Sequence, residues 1–413
     1  MNSGIESVSE NRIIPMDRLR LFLVVAVVFM HAAVAYTNIP VLTVLDPQKN
    51  AALDIFLLLM DGILMPLLYF IAGYFAYISM KKRSRREFIV SKFRRVGLPF
   101  VAIGIFLAPY ITYAGVRNYF PDPIGFFNFW IFQMKTAVQP EFVLISDMET
   151  ATKHWMDYSP WHLWFVILLL IFYLLYAGWD ILRERITGRN AMNKSVNRTG
   201  VLTSLAVASA VMILLYTAVA LFVPEWVWTQ TSIIHLQPSR IPIYTGIFIL
   251  GIYAGSGNWF IDKEIPGTIW IWGTASVIFS IAIIPCMSLV LKSWGQIMPW
   301  QFSLLHGFIR TGMALTMLVF LIKLFNSRSA QKSILDRMSG VSYEIYILHL
   351  PLVVAVGELF TMVTMPALLK FFLAGIIITC ICWALGRFLV KPYPKIAVLI
   401  IISVFLILCL SFR

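Results

Sequence analysis

Long apolar stretches, separated by short polar segments, run through all 413 residues of this chain. About 18–25 consecutive apolar residues suffice for a helix to cross a bilayer, where a helix satisfies its own backbone hydrogen bonds. The pattern therefore predicts an all-α fold, a polytopic transmembrane helical bundle of about 10–11 spans. The predicted spans are 18–37, 55–78, 96–114, 161–182, 201–223, 240–258, 267–291, 302–325, 340–363, 367–389 and 395–412.

Two prolines set the last predicted span apart from the others. Pro392 and Pro394 precede it, and proline disrupts a helix interior because it lacks a backbone donor. We therefore divide the chain into a cytoplasmic N-terminal tail (1–17), a membrane domain (18–391) and an additional C-terminal transmembrane or interfacial segment (392–413).

Composition agrees with a lipid bilayer as the main partner. Hydrophobic residues make up 60% of the chain and charged residues 13%, whereas soluble domains contain about 25% charged residues. The net charge of +13 resides in short segments between apolar stretches, which argues against nucleic-acid binding. The four cysteines lie in apolar stretches without metal-ligand spacing, so we predict small buried hydrophobes and no metal site.

Loop charges predict the orientation. Basic residues concentrate in segments 81–95, 183–198 and 323–337, which fall on one side of the membrane if the spans alternate. The positive-inside rule places that side, and the N-terminus, in the cytoplasm. The long segment 115–160 then lies on the opposite side, where its many aromatic residues suit the membrane interface.

The first apolar stretch also resembles a cleavable signal peptide. Arg18 and Arg20 precede the apolar run Leu21–Met30, and small residues follow at 33–35. The polar lead is long and the apolar run continues through His31, which favours a retained span.

The first predicted span carries an arginine and a histidine on one helix face. Arg20 and His31 are eleven residues apart, which is close to three turns and about 16 Å along the axis. This distance extends from one edge of the bilayer core to near its middle. An imidazole can act as a general base or nucleophile near neutral pH, and ionisable residues within spans indicate function.

Structural explanations exist for both residues. A histidine can bond a neighbouring carbonyl, and an arginine near a helix end can extend to the lipid headgroups. Asp17, three residues before Arg20, is placed to pair with it.

A basic run that includes Lys92, Arg94 and Arg95 precedes the third predicted span. One explanation for this run is that its positive charges set the orientation of the protein in the membrane. The alternative is a binding site for an anion. Lys92 and Arg95 share a helix face, and guanidinium groups bind phosphate oxygens in pairs. A nucleotide-bearing donor such as acyl-CoA, with its 3′-phosphate and pyrophosphate, would suit this run.

Two further histidines at or within predicted spans are candidates. His162 and Trp164 begin the fourth span, where an aromatic belt at the interface is the plain explanation. His349 lies in the ninth span at a depth similar to that of His31, so the two could line one cavity. The alternative is a helix kinked at Pro351, with His349 bonding a freed carbonyl. Tyr346, Glu344 and Arg310 are further candidates near such a cavity.

Five segments resemble the motifs of the acyltransferase-3 family of bacterial membrane proteins, and they occur in the family's order over roughly 15–363. The segments are 17–31, Phe70 to Phe75, the basic run ending in Arg95 to Pro99, His162 to Phe165, and Ile345 to Pro351. The forms of the second and third segments are most similar to the branch of osmoregulated periplasmic glucan succinyltransferases.

This resemblance implies an O-acyltransferase of the bacterial cytoplasmic (inner) membrane. The enzyme would move an acyl group, acetyl or succinyl, from cytoplasmic acyl-CoA to a hydroxyl of a glycan, a lipid-linked sugar or another envelope acceptor. Acyl-CoA would be a co-substrate, and no bound cofactor is implied. Polysaccharide modification such as O-acetylation would be the outcome.

The resemblance also assigns roles to residues. His31 would be the essential histidine, with Arg20 and Asp17 as its catalytic partners. Lys92, Arg94 and Arg95 would bind acyl-CoA; the family's arginine pair maps to Lys92 and Arg95, and lysine lacks the bidentate geometry of arginine. The sequence itself, rather than the resemblance, suggests the candidates for the acceptor site or cavity: His162, Trp164, His349, Tyr346, Glu344 and Arg310.

A proton-coupled secondary transporter is the competing hypothesis. Such carriers also use intramembrane histidine, carboxylate and arginine side chains. Many of them contain inverted repeats with paired broken helices, and the chain shows no such symmetry. A transporter would need an ion gradient and no acyl-CoA.

Overall fold

A computed structural model describes residues 14–39, 44–119, 124–139, 141–187, 200–231, 233–257, 259, 265–326 and 334–412. Most of the predicted N-terminal tail and parts of two basic loops (188–199 and 327–333) lie outside these residues. The helices are α1 (Ile14–Val34), α2 (Ala51–Lys81), α3 (Arg85–Lys92), α4 (Leu98–Phe106), α5 (Ala108–Val116), α6 (Phe126–Ala137), α7 (Met148–His154), α8 (Trp164–Thr187), α9 (Val201–Ala220), α10 (Ile241–Ser256), α11 (Ile269–Lys292), α12 (Trp300–Asn326), α13 (Ile334–Met338), α14 (Ser342–Thr361), α15 (Ala367–Leu385) and α16 (Pro394–Ser411). The strands are β1 (Phe142–Ile145), β2 (Trp228–Thr231) and β3 (Ile234–Leu236).

The predicted all-α membrane bundle is confirmed. Among the described residues, nine helical stretches are long and apolar enough to cross a membrane. The third of the predicted spans is a compound helix, Arg85–Val116, which combines α3, a π-helical turn, α4 and α5. Two predicted spans fall outside the nine, because α10 has only 16 residues and α1 contains three charged residues within its 21.

The first helix lies closer to the N-terminus than predicted. It runs over Ile14–Val34 rather than 18–37, because the chain turns away after Val34. The Thr37 hydroxyl donates to the Val34 carbonyl at 3.0 Å, and the Asp46 amide donates to the Ala35 carbonyl at 3.0 Å. The following loop thus satisfies the last carbonyls of the helix. His31 consequently lies in the last turn of α1, not near the middle of a span as expected.

Two glycines bring α2 and α10 into backbone contact. A Cβ atom on Gly73 would collide with the Phe248 carbonyl, and one on Gly251 would collide with the Phe70 carbonyl. Small residues permit such close approach between membrane helices. The contact gives a physical reason for glycine in the segment from Phe70 to Phe75.

The last helix extends through the same layer as its neighbours. Near its start, Lys391 Nζ donates to the Gly340 carbonyl at 3.2 Å, close to where α14 begins. At its end, the Phe126 amide donates to the Phe412 carbonyl at 2.7 Å, and the Arg117 guanidinium lies 4.9 Å from the Phe412 ring centre. Eighteen residues rise about 27 Å, the length of a spanning helix.

The segment 115–160 contributes to a small sheet that the sequence analysis did not predict. β1 pairs antiparallel with β2, with Phe142 opposite Thr231 and Ile145 opposite Trp228, and β2 pairs antiparallel with β3. The sheet ties this segment to the connection between α9 and α10. It lies on the face of the bundle opposite the one at which α1 and α14 begin; we call the latter the basic face, because α2 ends there in Lys81.

Candidate active site

Three imidazoles from three separate elements lie against one another inside the bundle. His31 belongs to α1, His349 to α14, and His162 to a 3₁₀ turn that precedes α8. The ring centres of His31 and His349 are 4.9 Å apart, and those of His162 and His349 are 4.8 Å apart. The structure thus brings the two histidines of the predicted cavity together and adds the third.

Hydrogen bonds fix which nitrogens of His349 and His31 carry protons. His349 Nδ1 lies 2.5 Å from the Tyr346 carbonyl oxygen, which can only accept; Nδ1 therefore carries the proton and Nε2 is an acceptor. His31 Nδ1 lies 3.2 Å from that Nε2 and 3.0 Å from the Val27 carbonyl. It therefore carries a proton as well, an assignment made from the hydrogen-bond network.

The second ring nitrogen of His31 is left as an available base. His31 Nε2 makes no hydrogen bond to any residue that the structure describes. The side chain is only partly buried. An unprotonated, oriented imidazole nitrogen is what general-base catalysis requires.

His162 is held by a carbonyl that a proline leaves free. Pro351 has no amide hydrogen to donate to Ile347, four residues earlier in α14. His162 Nε2 lies 3.3 Å from this Ile347 carbonyl and donates to it, and the Tyr346 hydroxyl donates to the His162 carbonyl at 2.6 Å. The freed carbonyl thus binds His162, whereas His349 bonds the Tyr346 carbonyl instead. The remaining nitrogen of His162, Nδ1, is buried and has no hydrogen-bond partner among the residues that the structure describes.

An unusual backbone conformation positions His162. The preceding residue, Trp161, has φ = 49°, which non-glycine residues seldom adopt and which costs about 1–3 kcal/mol. Its amide bonds Ser159 Oγ at 3.2 Å, and its indole nitrogen donates to Thr112 Oγ1 at 2.9 Å. These contacts hold the turn that directs His162 into the bundle.

Arg20 and His31 both contact α14, and the Arg20 contact lies closer to the basic face. Its Nε donates to Ser342 Oγ at 2.8 Å, and its Nη2 donates to the Ser339 carbonyl at 3.2 Å. The ion pair predicted from the sequence is present, because Arg20 Nη2 lies 2.9 Å from Asp17 Oδ1. Arg20 thus meets the first residue of α14, and His31 meets the eighth.

Lys92 lies against aromatic rings rather than a carboxylate. Its ammonium is 4.3 Å from the ring centre of Tyr173 and 5.1 Å from that of Phe88. Arg94 and Arg95 are exposed. In the part of the chain that the structure describes, none of these three cations pairs with a carboxylate. Their charge is therefore available to an anion.

A π-helical turn connects the basic run to α14. Arg94 and Arg95 lie within Phe93–Gly97, and π-helical turns often occur at functional sites. The Tyr343 hydroxyl donates to the Val96 carbonyl of this turn at 3.1 Å. Arg95 and Arg20 both lie within electrostatic range of Tyr173. The basic run and Arg20 therefore surround one region at the basic face.

Arg310 does not join the histidines but belongs to a buried ionic network. Arg310 Nη2 lies 3.2 Å from Asp61 and 3.3 Å from Glu225. Arg240 lies 2.6 Å from each of the same two carboxylates. Two arginines and two carboxylates balance their charges. Sequence analysis missed Arg240 and Glu225, because both lie at or beyond the edges of predicted spans.

Aromatic rings bridge this network and the histidines. Tyr244, which lies within electrostatic range of Arg240, is 5.9 Å from Trp164 and 5.1 Å from Tyr69, measured between ring centres. Phe165 continues the series at 4.5 Å from Tyr69 and 5.4 Å from Tyr346. Trp164 therefore lines the wall between the two clusters rather than a simple interfacial belt.

Glu344 lies apart from the three imidazoles. Its Oε2 atom is buried and has no hydrogen-bond partner among the described residues. Its Cβ packs so closely on Gly386 that a Cβ there would lie 2.8 Å away. Glu344 therefore lies where α14 contacts the segment that follows α15.

These features define an integral membrane protein with an imidazole site inside a helical bundle. The model of the acyltransferase-3 family, which is described as an acyltransferase domain, matches residues 13–387. The chain therefore belongs to this family and is a membrane acyltransferase, as predicted; the glucan succinyltransferase branch remains a prediction. No curated protein and no solved structure matches the chain significantly.

Proposed function

We propose that this protein transfers an acyl group, acetyl or succinyl, from cytoplasmic acyl-CoA to a hydroxyl of a glycan or another envelope acceptor. The observation that carries the proposal is the free Nε2 of His31, whose opposite nitrogen is bonded to His349 at 3.2 Å. Family membership supports the reaction class. The cations at the basic face suggest donor binding, and the imidazoles deeper in the bundle suggest proton transfer.

The cations of the basic face support acyl-CoA as the donor. The phosphates of coenzyme A require several positive charges, and Lys92, Arg94 and Arg95 carry no competing carboxylate among the described residues. Arg20 adds a guanidinium at the start of α14, where helix amides favour an anion. Because α1 rises about 16 Å between Arg20 and His31, an extended thioester arm would connect the two.

His31 acts as the general base in the proposed reaction. Its Nε2 removes the proton from the acceptor hydroxyl while the hydroxyl oxygen attacks the thioester carbonyl. A new C–O bond forms, the C–S bond breaks, and the proton passes from His31 to the departing thiolate. The products are the acyl ester and free coenzyme A, with no net gain or loss of protons.

Transfer in reconstituted liposomes tests the proposal. Purified protein is supplied with labelled acetyl-CoA or succinyl-CoA and a gluco-oligosaccharide acceptor, and coenzyme A release and labelling of the acceptor are followed. We expect His31→Ala to abolish both, whereas Phe22→Ala, an exposed position on the same helix, serves as the matched control and retains activity. Coenzyme A release that persists in folded His31→Ala protein would refute the role of His31.

Proton-coupled transport remains the alternative function. The buried network of Asp61, Glu225, Arg240 and Arg310 favours it, because carriers use such intramembrane groups. Uptake driven by an imposed proton gradient, in the absence of acyl-CoA and with the substrate recovered unmodified, would support transport over acyl transfer.

A further inference from the structure

A polar pocket lies on the face opposite the basic face, at the edge of the three-stranded sheet. It is open on one side, and its cavity volume of about 20 Å³ is enough for a single hydroxyl group or water molecule. Its polar lining comes from α6 and the residues after it, from α7 and the residues after it, and from β2. These residues are Thr136, Gln139, Glu141, His154, Asp157 and Gln230.

His154 presents an available nitrogen to this pocket although its side chain is only 8% exposed. Its Nδ1 lies 2.7 Å from Asp157 Oδ2, and a carboxylate can only accept, so Nδ1 carries the proton. In the neutral imidazole, Nε2 is then a hydrogen-bond acceptor. It makes no bond to any other residue that the structure describes, and His154 lines the pocket. The pocket therefore contains an oriented imidazole nitrogen that can accept a hydrogen bond from a ligand.

The walls around His154 are held in place by their own contacts. Thr136 Oγ1 donates to the Gln133 carbonyl at 3.0 Å and accepts from the Tyr158 amide at 2.9 Å. Gln230, 8% exposed, is paired in the sheet with Val143 on one side and His235 on the other. A polar site with fixed walls binds a ligand at low entropic cost.

The chemistry of the lining selects a neutral, hydroxylated ligand. The carboxylates of Glu141 and Asp157 repel anions, and the polar walls disfavour an apolar group. Among the described residues, no group of three histidine, cysteine or carboxylate side chains is arranged to hold a metal ion. Hydroxyl groups both donate and accept, and imidazole, amide and carboxylate groups complement several of them at once. This combination fits one hydroxyl group of a sugar whose ring lies at the open side of the pocket.

Chain connectivity keeps the pocket close to the histidine site. Asp157 and His162 are five residues apart, so their Cα atoms are separated by at most about 17 Å. We propose that the pocket is a distal subsite that binds a non-reacting sugar unit of an oligomeric glycan acceptor. The proposal rests on the proposed function and extends it, since binding of a remote sugar unit lowers the KM for longer acceptors.

A comparison of short and long acceptors tests this subsite. The acceptors are glucose and a linear gluco-oligosaccharide of six units, with coenzyme A release as the readout. We expect His154→Ala and Asp157→Asn to raise the KM for the hexamer about tenfold, the effect of one lost hydrogen bond. The KM for glucose and the kcat should not change. Lys153→Ala, an exposed neighbour on α7, is the matched control.

Binding without turnover separates this proposal from the proposed function. Calorimetry with the hexamer and His31→Ala protein measures the pocket even if no acyl transfer occurs. Binding that is lost when Asp157→Asn is added, but not when Lys153→Ala is added, supports the subsite. Absence of hexamer binding, or equal binding by all variants, overturns it. Absence of coenzyme A release by the wild type with every acceptor would instead refute the proposed function.

Discussion

His349 Nε2 accepts a hydrogen bond from His31 Nδ1 across 3.2 Å, although the two residues are 318 positions apart. The Tyr346 carbonyl fixes the His349 tautomer from the other side. Together these contacts leave His31 with its lone pair on Nε2. His349 is therefore a positioning residue for the proposed base, in the way that outer partners orient metal-bound or catalytic histidines.

Replacement of His349 should lower kcat without a matching rise in the KM for acyl-CoA. We expect His349→Ala to reduce kcat about 10–100-fold, the usual cost of losing an orienting partner. His349→Gln should recover part of the loss, because its amide carbonyl can accept from His31 Nδ1. Steady-state kinetics with a fixed acceptor measure both constants. Equal losses in the two variants would indicate a packing role instead.

Lys92 offers a test of donor binding at the position where this chain departs from the family pattern. Lys92→Arg keeps the charge over Tyr173 and adds a bidentate fork, so we expect an equal or lower KM for acyl-CoA. Lys92→Gln removes the charge and should raise that KM about tenfold, less so at high salt. The control is Lys82→Gln, an exposed basic position ten residues before Lys92 in the same segment. An unchanged KM in Lys92→Gln would contradict the proposed donor site.

The sequence predicted the parts of the fold that the bilayer itself imposes. Apolar length predicted the spans because only helices satisfy their backbone within lipid, and helical periodicity predicted that Arg20 and His31 share a face. Contacts between distant segments were not predictable in this way. The Ile347 carbonyl that holds His162 is free only because of Pro351, and nothing near His162 indicates this. The sheet was missed because its strands are only three or four residues long.

The contact between α2 and α10 predicts a large difference between two glycine substitutions. Gly73→Ala places a methyl group against the Phe248 carbonyl, and such overpacking costs about 1–3 kcal/mol. Gly178→Ala in α8 meets nothing within 4 Å in the described part of the chain and should be neutral or slightly stabilising, because alanine favours the helix. Thermal unfolding in detergent compares the two. Similar unfolding temperatures for the two variants would show that α2 and α10 can move apart at little cost in the free energy of unfolding.

The buried ionic network predicts that Glu225 stabilises the protein in a pH-dependent way. Burial raises the pKa of Glu225, but the positive charges of Arg240 and Arg310 lower it by a larger amount. The pKa of Glu225 therefore lies below its ordinary value of 4.5. A carboxyl with a lowered pKa contributes stability above pH 4.5, and this contribution is lost as the pH falls toward the pKa of the folded state.

Glu225→Gln leaves the two arginines with a single carboxylate. Removing one partner from a buried pair costs about 3–5 kcal/mol, so we expect a clearly lower unfolding temperature at pH 7. Below pH 4.5 the wild type should lose stability by about 1.4 kcal/mol per pH unit from this group, and the gap between the two proteins should narrow. Glu149→Gln, an exposed carboxyl on α7, is the control. A gap that stays constant between pH 7 and pH 3 would show that Glu225 acts through packing rather than charge.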